Sequence, residues 1–153
     1  MSALPKEQVS YRRMQAADLP VVAALEKSLY AFPWSQGNFR DSLEAGYECW
    51  VASHQGDVIA YAILMIALDE AHLLNIAVDG RWHNAGIGRA FLVHLLGVAL
   101  AARVQIVYLE VRPSNLAARH LYRQMGFQQI AIRPGYYPAV TGREDALFLG
   151  LTL

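Results

Sequence analysis

The first fifty residues show one short alternating segment followed by two helical segments. VSYRRM (9–14) alternates apolar and polar residues, which indicates a strand. A helix is then predicted over 19–30, with Asp18 as its N-cap and a proline in its first turn. The proline of AFPWS ends that helix, and Ser35 is suited to cap a second one that ends near Gly46. The pattern therefore predicts two short helices joined by an aromatic elbow.

Apolar runs separated by polar breaks follow the elbow. CWVAS, VIAYAILMIAL and HLLNIAVD are separated by HQGD and by the break at 69–71, which predicts an antiparallel meander of three strands. A helix to about Ala102, the strand VQIVYLEV and the helix SNLAARHLYRQM come next, and Gly126 stands where a left-handed cap is expected. FQQIAI and DALFLGL are predicted as closing strands, joined by the long connection RPGYYPAVTGRE.

The order of these elements describes an α/β (α+β) fold, in which helices pack on a mixed sheet. The strand at 71–78, the helix after it and the strand at 104–111 form a strand–helix–strand unit. Those two strands are therefore expected to be parallel, with a right-handed crossover. The chain contains no repeat, linker or low-complexity tract, so a single domain over 1–153 is expected.

Composition narrows the classes of partner. The chain has 153 residues, 55% of them hydrophobic, and zero formal net charge, so no global field attracts nucleic acid or an anionic membrane. The lone Cys49 cannot form an internal disulfide, and the sequence MSALPKEQVSYRR lacks the apolar core of a signal peptide. The longest apolar run, 91–102, is shorter than the ~20 residues that a spanning helix needs. A cytoplasmic protein is expected.

The loop DGRWHNAGIGRA (79–90) joins a strand to a helix and contains two glycines and three possible cations. The first N–H groups of a helix lack intrahelical partners, and the helix dipole makes that end electropositive. Gly86 and Gly88 give a phosphate access to the backbone, and Arg81, His83 and Arg89 could add charge-assisted contacts. The loop lacks the spacing of a dinucleotide fingerprint or a P-loop, and an ordinary glycine turn is the alternative.

Three side chains after this loop carry candidate chemistry. Glu110 interrupts an apolar strand and could be a general base, or the ion-pair partner of an arginine such as Arg112 or Arg143. Asn115 opens the next helix, where capping is its ordinary role. Tyr122 lies seven residues further, on the same helix face, and is either a core residue or a proton donor.

HNAGIG (83–88) resembles the Q/R-x-x-G-x-G/A pyrophosphate loop of the GNAT acetyltransferase superfamily, with histidine at its first position as a departure. A histidine adds charge there only when it is protonated. The resemblance extends over nearly the whole chain, because AFPWS, DEAHLLNIAVD, LEVRPSNLAARHLYRQMGF and GYYPAVTGREDA are similar to the bacterial ribosomal-protein alanine N-acetyltransferases of the RimI type. The resemblance implies a single GNAT-fold domain whose mixed, mostly antiparallel sheet is splayed between two central parallel strands.

The resemblance also implies an activity and its residues. It implies acetyl-CoA as donor, the N-terminal alanine of small-subunit ribosomal protein eighteen as acceptor, and direct transfer in a ternary complex. Glu110 would accept the proton of the amine, Tyr122 would protonate the leaving thiolate, and Asn115 would lie against the coenzyme A arm. The strand residues whose backbone would bind the donor are Ile76, Ala77 and Val78. The loop residues at the pyrophosphate would be His83, Asn84, Ala85, Gly86, Ile87, Gly88 and Arg89. The residues flanking the peptide would be Phe32, Trp34, Tyr136 and Tyr137.

Other interpretations remain open at this stage. The acceptor could be a lysine, another protein N-terminus or a small amine, and a non-catalytic coenzyme A-binding module or a structural interaction domain would belong to other classes. No metal is implied, since no His/Cys/Asp cluster has ligand spacing, and Cys49 has no motif neighbour that suggests a covalent acyl-enzyme. No nucleic-acid or membrane partner is expected, and the oligomeric state would be a monomer or a weak homo-oligomer.

Overall fold

The fold is taken from a computed structural model that describes residues 8–153. The first seven residues, on which part of the expectation about a signal peptide rests, lie outside the described part. Within the described part the strands are β1 Val9–Arg13, β2 Glu48–His54, β3 Asp57–Ala67, β4 Glu70–Val78, β5 Ile106–Val111, β6 Gln128–Pro138 and β7 Arg143–Thr152. The helices are α1 Leu19–Leu29, α2 Gln36–Glu44, α3 Ile87–Ala101 and α4 Leu116–Gln124.

The strands form one mixed sheet in the order β1-β2-β3-β4-β5-β7-β6. The pairs β1/β2, β2/β3, β5/β7 and β6/β7 are antiparallel, whereas β4/β5 is parallel. The predicted mixed, mostly antiparallel sheet with one strand–helix–strand unit is confirmed. By its internal contacts the chain divides into two compact units, residues up to Met65 with Asn75–Val98, and Ile66–Leu74 with Ala99–Leu153.

The first unit contains both early helices and the hairpin between β2 and β3. The predicted turn HQGD is confirmed, with Gln55 at φ 51° and Gly56 at φ 85°, the left-handed pair that a two-residue hairpin turn requires. Ser35 caps α2 as predicted, because its side chain accepts from the Asn38 N–H and the Asn38 side chain in turn accepts from the Ser35 N–H. Phe39 and Tyr61 are fully buried in the core of this unit.

Asp18 stands at the predicted N-cap position of α1, with the proline in the first turn, but its side chain makes no capping hydrogen bond. Its carboxylate accepts two hydrogen bonds from Arg12, each 2.8 Å long, and one from Gln15 N–H at 2.8 Å, instead of capping α1. A short 3-10 turn at Ala16–Asp18 runs directly into α1, so the cap position is already helical. The Arg12 guanidinium lowers the pKa of Asp18 below its ordinary value. The Asp18 carboxylate therefore accepts from the Arg12 guanidinium of β1 and not from the N–H groups at the start of α1.

The second unit contains the parallel pairing and the last hairpin. Residues Glu70–Leu73 of β4 pair with Ile106–Leu109 of β5, the two strands between which the splay was predicted. Gly126 ends α4 at φ 99°, and Phe127 N–H donates to Tyr122 C=O at 3.0 Å, so the predicted left-handed cap is confirmed.

The predicted long connection RPGYYPAVTGRE is wrong in extent. β6 continues to Pro138 and β7 begins at Arg143, so only residues 139–142 form the turn. Both prolines of β6 are tolerated because this strand stands last in the sheet order and its register with β7 is irregular between Arg133 and Tyr137. The tyrosines that the sequence placed in a loop therefore lie on a strand.

In the described part of the chain, the longest apolar helices all fall short of what crossing a lipid bilayer requires.

Candidate active site

The predicted donor loop lies in the first unit, between β4 and α3. Asp79 is buried and fixes the start of the loop, because its N–H donates to Ile59 C=O at 2.8 Å. Its carboxylate accepts from the Arg81 backbone and from the Arg81 guanidinium, at 3.1 and 2.7 Å. The guanidinium lowers the pKa of Asp79 below its usual range. Arg81, expected as a phosphate contact, is thus an ion-pair partner of the strand end.

Gly86 is the residue immediately before α3. Its φ of 78° is a conformation that L side chains rarely adopt, and its carbonyl accepts the Ala90 N–H at 3.1 Å, which starts the helix. Apart from its two neighbours in the chain, a Cβ built at Gly86 would meet no protein atom within 4 Å. The turn therefore needs glycine for its backbone, and it leaves open space beside the first N–H groups of a 15-residue helix, as an anion requires.

His83 holds the loop against the strand that precedes it. Its Nε2 lies 2.7 Å from Val78 C=O, and the ring is exposed. Ala77 is buried, whereas Ile76 and Val78 are half-buried. These contacts place the histidine at the first loop position next to the backbone of the predicted donor strand.

The aromatic elbow is fixed by a carboxylate that the sequence did not single out as functional. Glu26 is 3% exposed and accepts from Trp34 N–H at 2.9 Å, from Tyr61 O–H at 2.8 Å and from Asn75 Nδ2 at 3.1 Å. Burial and the Glu26 carboxylate raise the pKa of Tyr61. Trp34 packs on Phe39 with ring centroids 5.2 Å apart. None of the three donors to Glu26 is a cation.

The predicted proton acceptor lies in the second unit among charged neighbours. Glu110 Oε2 contacts His72 Nε2, and Glu110 Oε1 lies 3.4 Å from Arg133 Nε. The alternative role of Glu110 as ion-pair partner of an arginine is confirmed, but the arginine is Arg133. Arg112 pairs with Glu144 at 3.1 Å, and Arg143 donates to the Gly135 and Tyr136 carbonyls. The sequence missed both true partners of Glu110.

Strand register explains why these side chains meet. His72 stands opposite Tyr108, and Glu110 lies two residues further along β5 on the same face. Glu110 stands opposite Phe148 of β7, which in turn stands opposite Ala131 of β6, two residues before Arg133. The Arg133 guanidinium lies over the Phe148 ring at 4.6 Å. One sheet face thus gathers residues from four strands.

The two predicted residues of α4 have clear local roles. Asn115 is the N-cap, because its Oδ1 accepts the Ala118 N–H at 3.2 Å. Tyr122 is buried, and its ring meets Phe127 edge to face at 5.6 Å. The structure therefore shows the capping and core roles of these residues, while their contacts with coenzyme A and with the leaving group stay predictions.

The predicted peptide-side tyrosines differ in environment. Tyr136 is exposed, whereas Tyr137 is half-buried beneath the Arg112 guanidinium, which lies 4.3 Å from its ring centroid. Burial, and next the charge of Glu110, raise the pKa of Tyr137. Glu144 accepts from Ser114 N–H and Arg112, so this acid has partners inside the second unit. Tyr137 therefore lies within electrostatic reach of the predicted base.

The predicted residues divide between the two units. The first unit contains the elbow residues, residues 76–78 and the loop 83–89. The second unit contains Glu110, Asn115, Tyr122, Tyr136 and Tyr137. Three contributors escaped the sequence reading, namely Glu26 in the role just described, His72 and Arg133. Only a buried polar residue within an apolar segment could have signalled Glu26, and nothing local signals the other two. Across residues 8–153, no group of three His, Cys, Asp or Glu side chains is arranged to hold a metal ion.

Comparison with known proteins agrees with this geometry. The sequence profile described as Acetyltransferase (GNAT) family matches residues 18–127. The [ribosomal protein bS18]-alanine N-acetyltransferase of Escherichia coli strain K12 is 40% identical over 140 residues, which cover 92% of this chain and 95% of that protein. The crystal structure of the ribosomal-protein-S18-alanine N-acetyltransferase from Escherichia coli superposes with a TM-score of 0.89 at 39% identity, over 94% of this chain and 93% of that one.

A more distant structure shows how far the fold extends. Arabidopsis thaliana NAA60 in complex with acetyl-CoA has a TM-score of 0.85 at 17% identity, over 95% of this chain and 98% of that one, a likeness that concerns the fold alone. The family profile and the close relatives together cover the glycine loop, Glu110 and α4. On this evidence the chain is a member of the GNAT acetyltransferase family.

Proposed function

We propose that this protein transfers an acetyl group from acetyl-CoA to the N-terminal alanine of ribosomal protein bS18. The observation that carries the proposal is the 40% identity to the Escherichia coli bS18-alanine N-acetyltransferase over 92% of this chain. A strand carboxylate of low exposure, with an imidazole and a guanidinium beside it, supports an acid–base role for the second unit.

The donor side of the proposal rests on the first unit. The glycine turn and the first N–H groups of α3 would hold the pyrophosphate of acetyl-CoA, with His83 and Arg89 nearby. The backbone of Ile76–Val78 would bind along the pantetheine and polarise the thioester carbonyl, as preorganised N–H groups do for developing oxyanions. When bound, acetyl-CoA supplies the activated acetyl group. Asn115 would contribute its amide N–H groups to the coenzyme arm, since its Oδ1 caps α4.

The proton transfers rest on the second unit. An α-amine has an ordinary pKa near ~8, so one carboxylate suffices to remove its proton at neutral pH, whereas a lysine near ~10.4 is harder to deprotonate. Glu110 would accept that proton, and Tyr122 would donate one to the coenzyme A thiolate as it leaves. Phe32, Trp34, Tyr136 and Tyr137 would flank the peptide.

The test is acetyl transfer to a peptide with the bS18 N-terminal sequence. We expect transfer to the free α-amine, no transfer to the same peptide with a blocked α-amine, and a strong loss with Glu110→Gln. A lysine peptide and small amines serve as parallel acceptors. If the lysine peptide or a small amine is acetylated preferentially, that amine becomes the assigned acceptor in place of the bS18 N-terminus. Binding of acetyl-CoA without any turnover would support the non-catalytic alternative.

A ribosomal-protein acceptor also suits the cytoplasm that the sequence predicts, because ribosomes are assembled there. The single domain over 1–153, a monomer or weak homo-oligomer, and independence from metal, nucleic acid and membrane stay predictions. Size-exclusion chromatography and activity in the presence of a chelator test the oligomeric state and the metal independence.

A further inference from the structure

Glu110 forms a pair with a second ionisable side chain, and the two members differ in exposure. His72 Nε2 contacts Glu110 Oε2, and the His72 side chain is 24% exposed while that of Glu110 is 9% exposed. Arg133 Nε lies 3.4 Å from the other Glu110 oxygen. The imidazole is therefore the member of the pair with better access to water.

A base of low exposure, like any base, has to release the proton that it accepts before the next turnover. Direct exchange with solvent is hindered for a carboxylate with so little exposed surface. Imidazole both accepts and donates a proton at neutral pH, which makes it the usual side chain for passing protons. The contact with His72 gives Glu110 such an outlet.

We propose that His72 relays protons between Glu110 and water, an inference that rests on the proposed acetyl transfer. Glu110 Oε2 accepts a proton from the acceptor ammonium, His72 Nε2 accepts it from the carboxyl group, and the imidazolium releases it to water. The neutral amine attacks the thioester carbon, a C–N bond forms and the C–S bond breaks. The nitrogen loses a second proton as the amide forms, and Glu110, again a carboxylate, accepts it and passes it to His72 in the same way. Tyr122 gives one proton to the thiolate and regains one from water, so each turnover releases one proton net. His72 acts through Glu110 and is a positioning residue.

A cation and an aromatic ring from two other strands lie beside the pair. Arg133 lies at Glu110 Oε1, and His72 contacts the other carboxylate oxygen. Phe148 from β7 lies near both His72 and Arg133, with its ring centroid 6.3 Å from that of His72 and 4.6 Å from Arg133 Cζ.

The ionisable groups that surround His72 lie on strands β5 and β6. Tyr108 and Glu110 face His72 from β5, and Arg133 reaches the pair from β6. Tyr137 of β6 is within electrostatic reach of Glu110, and Arg112 lies over its ring. Measured pH profiles therefore report the cluster as a whole.

The first experiment compares His72→Gln with wild type, using His120→Gln on the exposed surface of α4 as the matched control. Glutamine can still hydrogen-bond to Glu110 but cannot carry a proton. We expect kcat for acetyl transfer to fall by about 10- to 100-fold, below the full range of positioned acid–base catalysis. The Kd of acetyl-CoA should stay within about two-fold, and the acidic limb of the pH–rate profile should change shape, while His120→Gln changes neither.

The second experiment is chemical rescue of His72→Ala by added imidazole. We expect imidazole to restore part of kcat, in proportion to its unprotonated fraction as the pH is varied. A side chain that only supports the fold would give no such gain. Circular dichroism tests whether His72→Ala is folded. If it is unfolded, the comparison of His72→Gln with wild type is the test.

The outcomes separate this proposal from the proposed function. If wild type acetylates another amine and not the alanine peptide, the acceptor assignment is wrong, and the relay is judged by the same variants with that amine. If wild type acetylates the peptide and His72→Gln stays within about two-fold of it from pH 5.5 to 8.5, with no gain from imidazole for His72→Ala, the relay is overturned. Absence of transfer to any amine overturns both.

Discussion

Two low-exposure carboxylates, one in each unit, have opposite kinds of neighbour. Glu26 accepts from a backbone N–H, a tyrosine hydroxyl and an asparagine amide. Glu110 contacts an imidazole and a guanidinium. The neutral donors of Glu26 hold a helix, the elbow and two strands in one arrangement, and none of them is a usual proton carrier at neutral pH. The neighbours of Glu110 include an imidazole, the side chain that usually carries protons.

The comparison teaches that low exposure alone does not mark a catalytic acid or base. A carboxylate whose partners are fixed neutral donors is suited to hold structure, because removing it leaves those donors unsatisfied. A carboxylate beside a titratable group is suited to move protons. We therefore expect substitutions at Glu26 to change stability and substitutions at Glu110 to change turnover.

The largest expected effect is on turnover in Glu110→Gln. Loss of the proton acceptor should lower kcat by about 10²- to 10⁴-fold. The free energy of unfolding should change by less than about 1 kcal/mol, because Arg133 is half exposed and can be solvated. Steady-state kinetics and urea unfolding measure the two quantities, with exposed Glu70→Gln as control. A variant that keeps a third of wild-type kcat would contradict the assigned role.

The next effect is on stability in Glu26→Ala. Three donors, one of them the fully buried Tyr61 hydroxyl, lose their acceptor, which should lower the free energy of unfolding by about 2–5 kcal/mol. Urea unfolding followed by tryptophan fluorescence measures the loss, and exposed Glu44→Ala on α2 is the control. Glu26→Gln keeps one acceptor and should lose less. If Glu26→Ala is as stable as wild type but inactive at saturating substrate, the contrast between the two carboxylates fails.

A smaller effect is expected on peptide binding in Tyr137→Ala. Removal of a half-buried ring near Glu110 should raise the KM of the peptide by about ten-fold, equivalent to ~1.4 kcal/mol, and leave the KM of acetyl-CoA unchanged. Tyr137→Phe keeps the ring and should stay within about three-fold, which separates the ring from its hydroxyl. The opposite pattern, with only acetyl-CoA affected, would reject the peptide-side assignment.

The smallest effect concerns a histidine of the first unit that has aromatic neighbours. The His94 ring stacks on Tyr11 at 4.5 Å and meets Trp50 edge to face at 4.6 Å, and burial lowers its pKa. The unfolded chain then binds a proton that the folded chain does not, so stability falls as the pH drops below about 6.5, by at most ~1.4 kcal/mol per pH unit.

Urea unfolding between pH 5 and 7 measures that dependence on His94. His94→Phe should flatten the curve in this window, whereas exposed His120→Gln should not. The same slope in wild type and His94→Phe would assign the dependence to other groups.

Local sequence patterns predicted most of the elements. Alternation and helical periodicity located the strands and helices, HQGD and Gly126 gave their turn and cap, and the strand–helix–strand order gave the parallel pair. The errors arose where a distant group competed. Arg12 took the carboxylate of Asp18, and strand pairing extended β6 through its two prolines.

The sequence by itself determined the elements, the glycine turn before α3, the family resemblance and the unusual position of Glu110 in an apolar strand. Only the tertiary structure decided what each carboxylate contacts. His72, Glu110 and Arg133 meet because β4, β5, β7 and β6 pair in a particular register, and Glu26 meets Tyr61 and Asn75 through packing of α1 in the first unit. Register is fixed by non-local pairing and burial, and a shift of one residue would turn these side chains to the other face of the sheet.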